Sequence, residues 1–328
     1  MKKLLTCLLS VCVCVIAGAS CAGGNASGIK LVDKNKTEYK IGVLQVDTHT
    51  ALDAAKNGFT DTLDAWAKEN GKKITYDLQN ANGDGNNETT MAANLVAAKN
   101  DILLGVATSS ARKLATSTTK IPTLFTAVTD PERSGLTGKN VTGTSDIAPI
   151  DRQIDLIKAL VPDCEKIALV YCSAEENSET QITLAEEACK NAGLGYRRFP
   201  VTASNDIQTV VESITSDYGA AYIPTDNLLA ANMITACNVL KTKGIPVVAG
   251  EAGMCEDNEG VATLGIDYYQ LGVQTAQMAI KILGGESPEN LPCERYNKTV
   301  TLYLNESNAK ACGLTDERIA AVKSAFAA

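Results

Sequence analysis

Along this chain, short continuous apolar runs alternate with amphipathic stretches. The amphipathic stretches repeat their apolar residues every three to four positions, which is the spacing of one face of a helix. Between residues 50 and 70, for example, apolar residues fall on one face, Thr50 stands where an N-cap belongs and Gly71 follows as a stop signal. Runs rich in β-branched residues predict strands at 41–46, 74–78, 102–106, 121–125, 167–171, 196–201, 220–223, 245–249 and 261–266.

The order of these elements predicts the fold class. Continuous apolar strands separated by helices, such as those expected at 177–192 and 205–216, indicate a parallel sheet covered on both faces. One series of strands and helices ends near residue 145 and a second begins at Pro162, so we expect an α/β protein with two doubly wound parallel-sheet lobes. The new helix that opens at Pro149 marks a natural crossing point between the lobes.

The first residues have the three parts of a secretory leader. Two lysines open the chain, an apolar run follows at 4–16, and small residues precede Cys21. The three residues that end in Cys21 resemble the lipobox of bacterial lipoproteins, although Gly18 stands where leucine is usual. We expect a signal peptide at 1–20, lipidation of Cys21 and a flexible lipidated tether at 21–38. The alternative is an ordinary cleaved leader with Cys21 unmodified.

Composition and charge narrow the possible partners. Removal of the leader leaves 308 of 328 residues, enough for two domains with a core each. Apolar residues make up 45% of the chain, yet no second stretch approaches 18 uninterrupted apolar residues, so nothing else is expected to span a membrane. The formal net charge is −8, or −10 without the two leader lysines, which argues against nucleic acid or anionic lipid as a partner.

The sequence offers little for metal or covalent chemistry. After the leader and Cys21, seven cysteines remain, an odd number with no C-x-x-C pair, and His49 is the only histidine. A metal site, a cofactor or a Ser/His triad is therefore not expected. There is no G-x-S-x-G elbow, no P-loop and no G-x-G-x-x-G after the first strand, so we predict no catalytic residues.

Polar residues follow several predicted strands, where ligands of open parallel sheets bind. The first lobe supplies hydroxyls and helix-start amides, which suit a carboxylate, whereas the second supplies acids after three successive strands, which suit an ammonium. A zwitterion between the lobes would satisfy both sets. Several of these residues have an alternative role as helix caps, namely Thr108, Ser109, Asp226, Asn227 and Asp267. The candidate ligand-binding residues are Gln45, Thr108, Ser109, Thr126, Asn177, Ser178, Asp226, Asn227, Glu251 and Asp267.

Several motifs at these positions occur together in a known family. As a set they resemble the ABC transporter substrate-binding lipoproteins of the tryptophan/tyrosine type, over about 39–313. Thr50 departs from the family, which commonly has proline there. The motifs are Ile41–Gln45 with His49–Ala55, Phe125–Pro131, Asn140–Asp146, Glu176–Ser178, Pro224–Asn227 and Gly265–Gly272.

The resemblance implies a type I periplasmic-binding fold with a three-segment hinge. Its lobes would be 39–146 with 270–295, and 147–269 with 296–328. The chain would be a lipid-anchored monomer facing the periplasm or exterior, serving an ABC permease and closing around an aromatic amino acid. Tyr222, Tyr268, Tyr269 and Phe125 are the nearest candidates for stacking on the ligand. The contacts carried over are Gln45, Thr108, Ser109, Asn177, Ser178, Asp226 and Asp267.

Other functions stay open at this point. A sensor or chemoreceptor-associated binding protein would have the same architecture, and another small solute, such as a nucleoside or sugar, could replace the amino acid. A hydrolase or racemase built on Ser109, His49 and an acid has no supporting motif.

Overall fold

The computed structural model describes residues 28–256 and 259–327. The predicted signal peptide at 1–20 and the lipidation site Cys21 lie outside these residues. The first elements of the described chain are β1 (Glu38–Gln45), α1 (Thr50–Glu69), β2 (Lys73–Asn80), α2 (Gly85–Ala97), β3 (Ile102–Val106), α3 (Thr108–Ser117), β4 (Thr123–Val128) and β5 (Val141–Ser145).

The chain then builds a second lobe and returns twice. The second lobe contains α4 (Ile150–Leu160), β6 (Lys166–Cys172), α5 (Glu176–Ala192), β7 (Gly195–Val201), α6 (Ile207–Glu212), β8 (Ala220–Ile223), α7 (Asn227–Ala231), α8 (Met233–Thr242), β9 (Val247–Ala249), α9 (Gly253–Glu256) and β10 (Ala262–Gly265). The remaining elements are α10 (Tyr268–Leu283), β11 (Glu294–Arg295), β12 (Thr301–Leu304), α11 (Glu306–Ala311) and α12 (Asp316–Ala325).

Each lobe has one six-stranded sheet, which confirms the predicted fold class. The strand orders are β11-β5-β4-β3-β1-β2 and β12-β10-β9-β8-β6-β7, so the two sheets have equivalent strand orders. The direction of winding reverses between β1 and β3 in the first sheet, and between β6 and β8 in the second. In such sheets, the ligand-binding crevice lies at the carboxyl ends of the strands at these switch points.

One strand departs from the predicted parallel arrangement. β12 pairs antiparallel with β10, with Thr301 opposite Gly265. The reason is the path of the chain, which leaves β10 at the carboxyl edge of the sheet, crosses to the first lobe and re-enters at that same edge. β11 and β12 were not predicted as strands, and both are short: Glu294–Arg295 has 2 polar residues and Thr301–Leu304 has 4 residues.

The chain crosses between the lobes at 146–149, 266–267 and 296–300. The helix α10 opens with Tyr268 and packs along α1 in the first lobe. The two helices approach closely because both carry a glycine at the contact. A Cβ added at Gly272 would lie 1.9 Å from the Ala55 carbonyl oxygen, and one at Gly58 would lie 2.0 Å from that of Tyr269. Tyr268 and Tyr269 therefore lie with the first lobe, not with the second as predicted.

Three local predictions need correction. The tether expected at 21–38 is packed in its second half, because Ile29 and Val32 are buried and the Lys30 amide donates to the Lys120 carbonyl at 2.8 Å. The N-cap of α1 is His49, not Thr50. The helix expected at 205–216 is limited to Ile207–Glu212, after a 3-10 turn. Among the described residues, no helix is both long and apolar enough to cross a membrane.

Candidate functional site

The carboxyl ends of the two sheets face each other, and the space between them forms two neighbouring cavities. The central cavity is small, with a volume of about 20 Å³. Its lining comes from the starts of α1, α5, α7 and α10 and from the segments after β4, β5, β8 and β9. The residues are His49, Leu52, Ala127, Thr129, Asp146, Asn177, Thr225, Asp226, Asn227, Ala230, Glu251 and Tyr268.

The second cavity lies at the switch points themselves and is much larger, with a volume of about 340 Å³. It shares Asn177 and Asn227 with the central cavity. The first lobe contributes Thr108, Ser109 and residues of α2, and the second lobe contributes the start of α5. The lining is Val46, Asp47, Gly83, Gly85, Glu88, Thr108, Ser109, Arg112, Cys172, Ala174, Glu175, Glu176, Asn177, Thr202, Asn227 and Leu228.

Three polar atoms of the central cavity are buried without a hydrogen-bond partner among the described residues: His49 Nδ1, Asp146 Oδ1 and Thr225 Oγ1. Nε2 of His49 lies 3.2 Å from Asn227 Oδ1, and donation to that oxygen leaves Nδ1 of the neutral ring as an acceptor. Nδ1 is 4.0 Å from Oε1 of Glu251, too far for a hydrogen bond. Because buried polar groups are normally satisfied, these three atoms form a cluster of acceptors whose hydrogen-bond capacity is not used by the described residues.

Asp146 is the carboxylate of this group. Its Oδ2 accepts a hydrogen bond from the Tyr268 hydroxyl at 2.7 Å. The residue is buried, with only 4% of its surface exposed. Burial raises the pKa of Asp146, while the hydroxyls of Tyr268 and Thr129 act in the opposite direction. A cation beside Oδ1 would favour the ionised form of this carboxylate.

In the first lobe, a buried carboxylate organises the start of α3. Glu88 accepts from the Ser109 hydroxyl at 2.5 Å and from the Ser110 hydroxyl at 2.7 Å. The preceding residue, Ala107, has φ of 78°, a backbone conformation that side chains rarely adopt. Since the Ser109 hydroxyl donates its proton to Glu88, it offers the cavity an acceptor. This corrects the prediction that the Ser109 hydroxyl itself donates to a carboxylate.

In the second lobe, Asp226 and Glu175 hold the start of α7. Asp226 accepts from the Cys172 amide at 2.6 Å and from the Leu229 amide at 2.9 Å. Glu175 accepts from the amides of Asn227 at 3.1 Å and Leu228 at 2.8 Å. Burial, followed by the charge of Glu175, raises the pKa of Asp226. The alternative role of Asp226 as a helix cap is thus observed, although its side chain also lines the central cavity.

The structure brings six of the ten candidate residues to the cavities: Thr108, Ser109, Asn177, Asp226, Asn227 and Glu251. Gln45 is buried beside them, where its amide donates to the Asp47 carbonyl and to Asp53. Ser178 is also buried, behind Asn177, which donates to it at 3.3 Å. Thr126 is buried within its sheet, where it accepts from Thr144.

Asp267 is the clear correction among the candidates. It is exposed, caps α10 by accepting from the Gln270 amide at 3.0 Å, and lies in a separate surface depression beside Tyr296. It does not line either cavity between the lobes. The helix-cap alternative therefore applies, because its carboxylate faces solvent at the outer side of the crossing segment.

Of the four tyrosine and phenylalanine candidates for stacking, only Tyr268 lines a cavity. Tyr222 is fully buried and donates to Gln153 at 2.7 Å, and Phe125 is buried in the first lobe. Tyr269 is exposed and donates to Asp61. A stacking platform of several rings is thus not formed by these residues.

Sequence reasoning missed Glu88 and the role of Asp146. Glu88 lies on α2, away from any strand end, so no pattern in the sequence marked it. Asp146 belonged to the motif Asn140–Asp146, and its position directly after a strand could have identified it. Burial raises the pKa of Cys172, in the larger cavity, to about 12, so this thiol is not an activated nucleophile.

Within the described part of the chain, polar contacts join the lobes around the cavities. His49 of α1 bonds to Asn227 of α7, as described above. Arg112 of α3 forms an ion pair with Glu176 of α5 at 2.7 Å. The amide of Gln181 reaches the Thr129 hydroxyl at 3.4 Å. The two lobes are therefore held together by polar contacts at the cleft itself.

Comparison with known proteins agrees with this architecture. The family model described as ABC transporter substrate binding protein matches residues 40–326. The chain belongs to the ABC transporter substrate-binding protein family. This family consists of binding proteins rather than enzymes, in agreement with the missing catalytic motifs. No group of histidine, cysteine and acidic residues within 28–256 and 259–327 is arranged to hold a metal ion.

The names of two relatives of this substrate-binding protein include an aromatic amino acid. A protein named "Tyrosine-binding protein" from Clostridioides difficile is 31% identical over 319 residues, 94% of this chain and 92% of that protein. A structure from Streptococcus pneumonia, described as an ABC domain in complex with L-Trp, is 34% identical with a TM-score of 0.80. The match covers 86% of this chain and 98% of the chain in that structure.

A third relative reports on the arrangement of the lobes. The ligand-free, open structure of a substrate binding protein from Clostridium difficile is 33% identical, with a TM-score of 0.65, and covers 85% of this chain and 96% of its own. Its identity is almost the same as that of the L-Trp complex, yet its TM-score is lower. The chain therefore superposes better on the L-Trp complex than on this open structure.

Proposed function

We propose that this substrate-binding protein delivers an aromatic amino acid to an ABC importer and closes around the zwitterionic head of that ligand. The observation that carries the proposal is the set of unpartnered acceptors in the central cavity, His49 Nδ1, Asp146 Oδ1 and Thr225 Oγ1. An ammonium group has three N–H donors, so it matches these three acceptors in number and in charge.

The sizes of the two cavities support a division of the ligand. The central cavity, at about 20 Å³, has room for about one group of the size of water, which includes an ammonium nitrogen. The larger cavity, at about 340 Å³, is within the range of small-molecule sites and would hold the side chain. Asn177 and Asn227, which border both, would contact the ligand between its two ends.

The carboxylate would bind near the starts of α3 and α5. The helix starts Thr108 and Glu176 both line the larger cavity, and unpaired backbone amides at such ends attract anions. In this proposal the backbone amides of α3, rather than the hydroxyl of Ser109, would donate to the carboxylate. The polar groups thus come from both lobes for each end of the zwitterion, so the ligand would favour the closed arrangement.

The proposal includes the envelope location. The leader at 1–20 and a lipid on Cys21 would place the mature chain outside the cytoplasm and attach it to the membrane. It would act as a monomer that docks on a membrane permease. Incorporation of labelled fatty acid into the wild-type chain, and its loss in Cys21→Ser, would test the anchor. Wild-type chain that carries no label would contradict it.

The ligand is tested by thermal unfolding of the lipid-free mature chain with L-tyrosine, L-tryptophan and L-phenylalanine. A ligand at 100 times its dissociation constant adds about 2.7 kcal/mol to the free energy of unfolding, which raises the melting temperature by roughly 4 °C. No shift with any amino acid, together with a shift with a nucleoside or a sugar, would contradict the zwitterion proposal and leave the family assignment intact.

A further inference from the structure

We infer that Asp146 is the residue that recognises the ammonium group of the ligand, held in position by Tyr268. This inference rests on the proposed function and names one contact within the same site. Asp146 was not among the residues expected from the sequence to bind the ligand.

The two oxygens of Asp146 have different surroundings. Oδ2 accepts from the Tyr268 hydroxyl at 2.7 Å, which fixes the plane of the carboxylate. Oδ1 is buried, makes no hydrogen bond of standard geometry within 28–256 and 259–327, and belongs to a residue that lines the central cavity. A buried carboxylate oxygen without a hydrogen bond of standard geometry carries a large desolvation cost, which an arriving ammonium would offset.

The other acids at the cleft are engaged elsewhere. One carboxylate oxygen of Asp226 accepts from the Cys172 amide, and the other accepts from the Leu229 amide. Glu251 accepts from the Gly253 amide at 3.0 Å. Asp267 is an exposed cap outside both cavities. Among the acids that line the central cavity, Asp146 is the one with a buried oxygen that makes no hydrogen bond of standard geometry within 28–256 and 259–327.

The position of Asp146 in the chain adds a second reason. It is the first residue of the crossing segment 146–149, and Tyr268 directly follows the crossing segment 266–267. The pair thus ties two of the three hinge segments together beneath the cavity. Residues at a hinge move least when lobes separate, so an ammonium site here would persist in the open form. The ligand would bind there first, and the second lobe would then close over it.

The test separates recognition of the ammonium from general damage. Full mature chain, wild type and Asp146→Asn, is titrated calorimetrically with L-tyrosine and with 3-(4-hydroxyphenyl)propionate, which lacks only the amino group. L-Tryptophan and indole-3-propionate serve as the second pair. Asparagine can still accept from Tyr268, so the hinge contact is retained. Asp267→Asn makes the same chemical change at the exposed cap and is the matched control.

We expect the wild type and Asp267→Asn to bind the amino acid at least about 30-fold more tightly than its des-amino analogue. Asp146→Asn should lose most of that ratio, with little change in affinity for the analogue. If Asp146→Asn retains the ratio, Asp146 does not contact the ammonium, although the proposed function survives. If the wild type binds neither amino acid, the proposed function and this inference both fail.

A direct measurement covers the case in which Asp146→Asn fails to fold. In a crystal structure of the wild-type chain with the bound amino acid, the ammonium nitrogen should lie within about 3.2 Å of Asp146 Oδ1. An ammonium placed against Asp226 or Glu251 instead would overturn the inference.

Discussion

Nε2 of His49 lies 3.2 Å from Oδ1 of Asn227, which joins the start of α1 in the first lobe to the start of α7 in the second. The only histidine of the chain thus bridges the lobes at the rim of the central cavity. The same ring presents its other nitrogen to the cavity, so one side chain takes part in closure and in the proposed ligand contact.

Replacing His49 with Ala should weaken amino-acid binding by about 1 kcal/mol or more, because one hydrogen bond between the lobes and one ligand contact are lost. Calorimetry measures the affinity, and small-angle scattering of the ligand-free chain should give a larger radius of gyration. Thr48→Ala is the control, since the Thr48 hydroxyl is exposed and bonds to Asn80 within the first lobe. Equal losses in both variants would contradict a specific role of His49.

The ion pair of Arg112 with Glu176 should contribute little to closure. Its side chains are 52% and 29% exposed, and exposed pairs contribute about 0 to 1 kcal/mol. A double-mutant cycle of Arg112→Ala and Glu176→Ala on ligand affinity should give a small coupling that shrinks further in high salt. A coupling well above about 1 kcal/mol, insensitive to salt, would mean that this pair is a main latch.

Glu88 should matter more for the stability of the first lobe. Glu88→Ala leaves the hydroxyls of Ser109 and Ser110 without their acceptor, and Ser110 is fully buried. We expect a loss of about 2 kcal/mol or more in the free energy of unfolding, measured with urea. Thr89→Ala, at the exposed next position of α2, should change it by less than about 0.5 kcal/mol. Similar losses in the two variants would contradict a buried anchor at the start of α3.

The close contact of α1 and α10 depends on Gly272. A methyl group there would meet the Ala55 carbonyl oxygen at 1.9 Å, so the helices would have to separate. Gly272→Ala should lower the free energy of unfolding by roughly 3 kcal/mol, by the cost of overpacking. Gly85→Ala is the matched control, because nothing lies within 4 Å of a Cβ added at Gly85, at the start of α2. Calorimetric melting should show a lower free energy of unfolding for Gly272→Ala only. If Gly272→Ala is as stable as the wild type, the two helices lie further apart than described.

The buried carboxylate of Asp226 predicts a pH dependence of stability. Burial and the charge of Glu175 raise its pKa, so between the unfolded and folded pKa values the folded chain binds more protons than the unfolded chain. The free energy of unfolding should therefore fall as pH rises through the folded pKa of Asp226. Asp226→Asn should flatten this part of the profile, measured by urea unfolding from about pH 5 to about pH 8. If the free energy of unfolding of the wild type and of Asp226→Asn changes with pH in the same way, the raised pKa of Asp226 is contradicted.

By itself, the sequence determined the layers of the fold. Spacing of apolar residues along α1 and the continuous apolar run of β3 are local patterns, and burial of one helix face or of both strand faces follows directly from them. The parallel winding also follows, because a helix between two strands returns the chain to the same edge of the sheet. Strand ends were therefore predictable, and Asn177 and Asp226 could be placed at the cleft.

Only the tertiary structure decided which strand-end residues face the cavity. Asp146 and Asp267 each follow the last parallel strand before a crossing segment, and nothing in their local sequence separates them. Asp146 is turned beneath the cavity by the hydroxyl of Tyr268, more than 120 positions away, whereas Asp267 caps α10 in solvent. The antiparallel direction of β12 was decided in the same way. These outcomes depend on how three distant crossing segments align, and a local pattern carries no information about contacts of that range.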